Sequence, residues 1–195
     1  MKASLCFGLF LLLTDSIHSQ GTLVFQYDQQ SATENIGGGT ATIQAYQPMG
    51  QSFTPALSQV GFIRLRMYDP TQNGIGSTVV VNLRSDSITG AVLATSLPLA
   101  LVDRFSGYGN FIFSAPVDVT PETKYFFQPE VIAGDQTLGV DIYHYSYSRG
   151  NAYLQGNQIS FQFWFREGII VPEPSSSILA VLGIGCFLWQ RRLRL

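Results

Sequence analysis

Through the middle of the chain apolar and polar residues alternate with a period of two, and no helical spacing is sustained. Ile63, Leu65 and Met67 fall on one side, with Arg64, Arg66 and Tyr68 on the other. After the turn-forming pairs Asp69-Pro70 and Asn73-Gly74, the pattern resumes with Val79, Val81 and Leu83 against Asn82 and Arg84. Successive side chains of a strand point to opposite faces, so this alternation predicts strands with one face buried. Further strands are predicted over residues 22–27, 51–53, 91–95, 110–114, 124–131, 138–143 and 161–166, with Gly37-Gly38-Gly39 in a loop. In the last of these, Phe161, Phe163 and Phe165 are expected to face the core, with Gln162, Trp164 and Arg166 outward. Many short strands separated by Gly, Pro and Asn turns predict one all-β domain, a single β-sandwich. A jelly-roll-like form is the first choice and an immunoglobulin- or fibronectin-like sandwich the second.

Both ends break the pattern. Met1-Lys2, the apolar run 5–13 and Ile17-His18-Ser19 have the order of a secretory signal peptide, residues 1–19, with cleavage after Ser19. The exported domain is then 20–170. At the other end, Val171-Pro172-Glu173-Pro174 and three serines precede an apolar run that ends at Trp189, and residues 190–195 are Gln-Arg-Arg-Leu-Arg-Leu. Two prolines within three residues cannot continue a strand or helix, which predicts an extended, accessible arm. As a helix, residues 175–189 would span about 22 Å at ~1.5 Å per residue, short of the roughly 30 Å of a hydrocarbon core. A buried C-terminal helix and an ordinary one-pass anchor are the alternatives to a transient membrane segment.

Motif (171–174), short span (175–189) and basic end (190–195), in this order, resemble the PEP-CTERM sorting tail of exported bacterial proteins. The resemblance covers about an eighth of the chain. It implies the secretion machinery and an exosortase-like membrane protease as partners. The recognition residues it implies are Pro172, Glu173 and Pro174, with Arg191, Arg192 and Arg194 as a basic stop signal. The implied location is membrane-associated before processing, then cell surface or extracellular.

Composition narrows the chemistry of the domain between the ends. Cys6 lies in the signal peptide and Cys186 in the tail, so residues 20–170 hold no cysteine for a disulfide, thiolate metal site or nucleophile. Charged residues are 12% of the chain, about half the usual share of roughly 25%. The domain has seven basic and eleven acidic residues, a poor surface for nucleic acid, which requires basic patches. His144 is its one histidine. Structural calcium is possible at Asp69–Asn73, Asp135 and Asp141, but no defined calcium loop is present and no cofactor is expected. Two carboxylates could meet across strands for glycosidic cleavage, yet no pair is singled out. Val119-Thr120-Pro121-Glu122-Thr123-Lys124-Tyr125 resembles the turn-into-strand corner of fibronectin-like sandwiches, which implies that the Tyr125 hydroxyl bonds back to the backbone.

The remaining candidates are aromatic. Tyr143, Tyr145, Tyr147 and Tyr153 cluster in sequence, and an outward Trp164 could stack on a sugar ring; core packing and cross-strand pairing are the competing explanation. The expected function is a noncatalytic, exported cell-surface or extracellular-matrix protein, not an enzyme. The alternative is a polysaccharide-binding module associated with exopolysaccharide.

Overall fold

The computed structural model describes residues 21–30 and 38–171; the segment expected to be a signal peptide (1–19) and the expected sorting tail from Pro172 onward lie outside the described residues. The first half of the chain forms β1 (Thr22–Gln30), β2 (Gly39–Thr42), β3 (Gly50–Phe53), β4 (Gln59–Tyr68), β5 (Ser77–Ser85), β6 (Val92–Thr95) and β7 (Leu99–Leu101). The second half forms β8 (Ser106–Asp118), β9 (Tyr125–Gly134), β10 (Gly139–Tyr143), β11 (Ala152–Leu154), β12 (Asn157–Ile159), β13 (Gln162–Phe163) and β14 (Phe165–Val171). All nine predicted strand regions are strands. Gly39 opens β2 rather than lying in a loop.

Two antiparallel sheets result. The first runs β1-β14-β4-β10-β13, with β8 also on β4 and β2 also on β10; the second runs β12-β11-β3-β9-β5-β6, with β7 also on β5. Alternation decides which face is buried. Ile63, Leu65 and Met67 of β4 and Val79, Val81 and Leu83 of β5 are fully enclosed. The phenylalanines join the sheets: Phe127 of β9 packs against Phe165 of β14 at 5.0 Å and Phe163 of β13 at 6.2 Å, and Phe53 of β3 touches Phe127 at 6.0 Å. The two sheets therefore share one core in a sandwich-like arrangement. Each fully buried phenylalanine contributes roughly 1.5–3 kcal/mol relative to exposure. Gly50 is required where β3 crosses close to β9, because a methyl there would run into the Phe127 carbonyl oxygen.

The last strand departs from its predicted form. It is split at Trp164, whose N–H donates to the Asp141 carbonyl at 2.9 Å while its own carbonyl accepts from Arg66 N–H at 3.5 Å. One residue thus moves the strand from β10 to β4. Phe161, expected in the core, precedes the split strand and is 36% exposed, packed against His144 at 4.6 Å. The corner before β9 forms as its sequence implies: the Tyr125 hydroxyl accepts from Thr120 N–H at 2.9 Å.

Candidate functional site

The predicted aromatic residues do not share one face. Trp164 lies on the outer side of its sheet as alternation predicts, but it is 1% exposed. Tyr108 packs on it at 4.5 Å and the Arg166 guanidinium sits 5.3 Å from its ring. A covered indole offers no face to a sugar, in keeping with packing, the competing explanation weighed for Trp164. Its Nε1–H is buried without a partner among the described residues. Tyr145 belongs to the same neighbourhood: its hydroxyl donates to Asp141 Oδ1 at 2.9 Å, and Asp141 Oδ2 pairs with Arg66. Burial, followed by this contact with a carboxylate, pushes the Tyr145 hydroxyl well above the usual phenol range. Tyr143 is exposed and packs edge-on against Tyr145 and His144. Tyr147 is in the core, accepting from Thr54 N–H at 3.2 Å, and burial raises it too. Tyr153 belongs to the other sheet, against Phe126 at 5.7 Å.

The acids expected as possible calcium ligands are occupied by protein donors. Thr71 Oγ1 lies 2.9 Å from Asp69 Oδ1 and 2.5 Å from Asp135 Oδ2, and Thr137 Oγ1 lies 3.3 and 2.9 Å from the same two oxygens. Asn73 Nδ2 and Thr137 N–H complete the shell of Asp135, at 2.8 and 2.9 Å. These donors, the Thr71 hydroxyl first, hold the Asp135 carboxyl down at about 2. The cluster ties the loop after β4 to the loop after β9. Asp141 lies elsewhere, committed to Arg66 and Tyr145. Among the described residues no group of three or more His, Cys, Asp or Glu side chains is placed to hold a metal ion.

A feature that sequence reading missed is an open groove of about 520 Å³ on the outer face of the second sheet, lined by Gln44, Gln47, Pro48, Arg84, Gln128 and Glu130. Its floor comes from β5 and β9, where Asn82 stands opposite Gln128 and Arg84 opposite Phe126. Its wall is the loop between β2 and β3. A chain of hydrogen bonds fixes the side chains. Gln47 Nε2 donates to the Pro129 carbonyl at 2.8 Å, Gln128 Nε2 to Gln47 Oε1 at 2.7 Å, and Arg84 Nε to Gln128 Oε1 at 2.7 Å. Arg84 Nη1 reaches the Gly90 carbonyl at 2.6 Å, and Asn82 Nδ2 holds Glu130 Oε2 at 3.1 Å. The β11–β12 turn braces the wall, with Gln155 N–H on the Tyr46 carbonyl and Gly156 N–H on the Pro48 carbonyl, both at 2.8 Å. The outward polar positions of β5 and β9 were visible in the alternation. Their pairing with a loop some 40 to 80 residues upstream was not.

The described residues form an all-β domain of two antiparallel sheets with a shared core and a polar groove on the second sheet. No protein family, curated protein or solved structure matches the chain.

Proposed function

We propose that this protein is a noncatalytic, exported component of the cell surface or extracellular matrix, a jelly-roll-like sandwich sorted through its C-terminal tail. The observation that carries this reading is the order of Pro172-Glu173-Pro174, the short apolar run and the arginines, beginning directly after β14 ends at Val171. Two prolines within three residues cannot continue a strand, which supports reading the residues after Val171 as a tail distinct from the sandwich. Strand order supports the jelly roll. Taking β1, β3, β4, β5, β6, β8, β9 and β14 as strands one to eight, the sheets read 1-8-3-6 and 2-7-4-5, the double Greek key of a jelly roll.

The noncatalytic reading draws on how reactive side chains are used. His144 is exposed and touches the rings of Tyr143 and Phe161, with no acid beside it among the described residues. Asp69 and Asp135 are bonded to threonines, and Glu167 is sealed in the core. The signal-peptide and exosortase expectations concern residues outside those described and are part of the proposal. Mass spectrometry of the protein from its host tests it: the mature C-terminus is expected near Pro172–Pro174. An intact C-terminus at Leu195, in a host that has the sorting protease, overturns the sorting reading. The alternative, a polysaccharide-binding module, loses Trp164 as its platform and keeps the groove of the second sheet in its favour.

A further inference from the structure

We infer that the groove formed by Gln44, Gln47, Arg84, Gln128 and Glu130 binds a neutral polysaccharide chain. Its chemistry matches hydroxyl-rich ligands. Three primary amides line it; those of Gln47 and Gln128 are held by the network, and Gln44, whose Nε2 donates to the Val131 carbonyl at 3.3 Å, has an amide oxygen that can accept from a hydroxyl. Its two charged side chains, Arg84 and Glu130, have opposite signs, so the groove has no net charge with which to draw a polyanion or polycation. The volume of about 520 Å³ lies within the usual range of roughly 300–1,000 Å³ for small-ligand sites. The groove is open rather than enclosed, as a polymer requires.

The site is also built before any ligand arrives. The bonds from Pro129 through Gln47, Gln128 and Arg84 to Gly90 hold each head group in place, so little side-chain entropy is lost on binding. The network does not use every donor and acceptor of the lining side chains. Arg84 uses Nε and Nη1 within the protein and keeps Nη2, while Glu130 keeps Oε1. Gln128 is only 8% exposed, and its amide is nonetheless turned to this network rather than replaced by an apolar core residue.

The inference relies on export to a compartment that contains glycans, and its test is independent of tail processing. Protein purified from the host is run in affinity electrophoresis against a mixed-linkage β-glucan, xylan, galactomannan and the host's own exopolysaccharide, with alginate as the charged control. Retardation by at least one neutral polymer is expected, and it should be unchanged between low and high salt. The Gln44→Ala/Glu130→Ala double variant should bind at least about tenfold more weakly, the scale of one or two lost hydrogen bonds with a charged partner. Glu130→Gln, conservative at an exposed position, should bind more weakly with an unchanged melting temperature. Three results overturn the proposal: no neutral polymer retards the protein, retardation persists in Glu130→Gln and the double variant, or only alginate binds and salt abolishes it. In none of these is the C-terminal mass affected, so failure here is separable from failure of the sorting reading.

Discussion

Glu167 is fully enclosed in β14, and neither carboxyl oxygen has a partner among the described residues. Burial pushes its pKa up to about 8, making it a weaker acid that is mostly neutral at pH 7. In the unfolded chain it ionises near pH ~4.3. Its folded value is raised, so the folded state binds the extra proton between these limits. The stability linked to that proton is therefore fully present below about pH 4.3 and is lost as pH rises through about 8. Glu167→Leu removes the unpaired polar group and should raise stability at pH 7 by about 1–3 kcal/mol. Urea unfolding at pH 5 and pH 8 checks both points: the variant's advantage should be larger at pH 8. At this scale, Tyr125 was legible because its partner Thr120 is five residues away in one local motif. The burial of Trp164 was not legible. Alternation gives the side of a strand, whereas the cover comes from Tyr108 on β8, far away in the chain.

Among the elements, the β11–β12 hairpin shows how short strands escape a sequence reading. Leu154 pairs with Asn157 across a two-residue turn, with Gln155 and Gly156 both left-handed at φ 52° and 75°. Such a turn favours Asn-Gly, because its backbone twist matches that of the strands. The chain has Gln where Asn would be preferred. Gln155→Asn should therefore stabilise the domain by roughly 0.5 kcal/mol. Gln155→Val should destabilise it by about 1–2 kcal/mol, the cost of a left-handed branched residue, and thermal unfolding of the pair measures both. β2, β7, β11 and β12, of three or four residues, are too short to display a period of two and were not predicted, although the equally short β3 and β6 were. The longer β4, β5 and β9 repeat it enough times to stand out. The split at Trp164 was invisible for another reason: a change of partner leaves the alternation of one strand intact and depends on where β4 and β10 lie.

For the whole molecule, the placement of β14 matters most. It lies between β1 and β4, pairing Thr22 with Val171 on one side and Phe62 with Gly168 on the other, and it brings Phe165 into the core. A chain ending at Val171 should keep the melting temperature of the longer protein, while one ending at Trp164 should fail to fold. Circular dichroism and thermal unfolding of the two truncations distinguish these outcomes. The all-β class was legible from period and composition. The strand order was not, because pairing β1 with β14 closes a loop of nearly the whole domain and leaves no local trace. The groove shares that origin, since its floor and wall meet only once the sheet is assembled.

The Thr22–Val171 pair also has a mechanical consequence. The backbone enters and leaves the domain side by side on adjacent antiparallel strands. Tension applied between those two points loads the hydrogen bonds of β1 and β14 in series, opening them pair by pair from the end like a zipper. The domain should yield in that direction at far lower force than when its sheets are sheared along their strands.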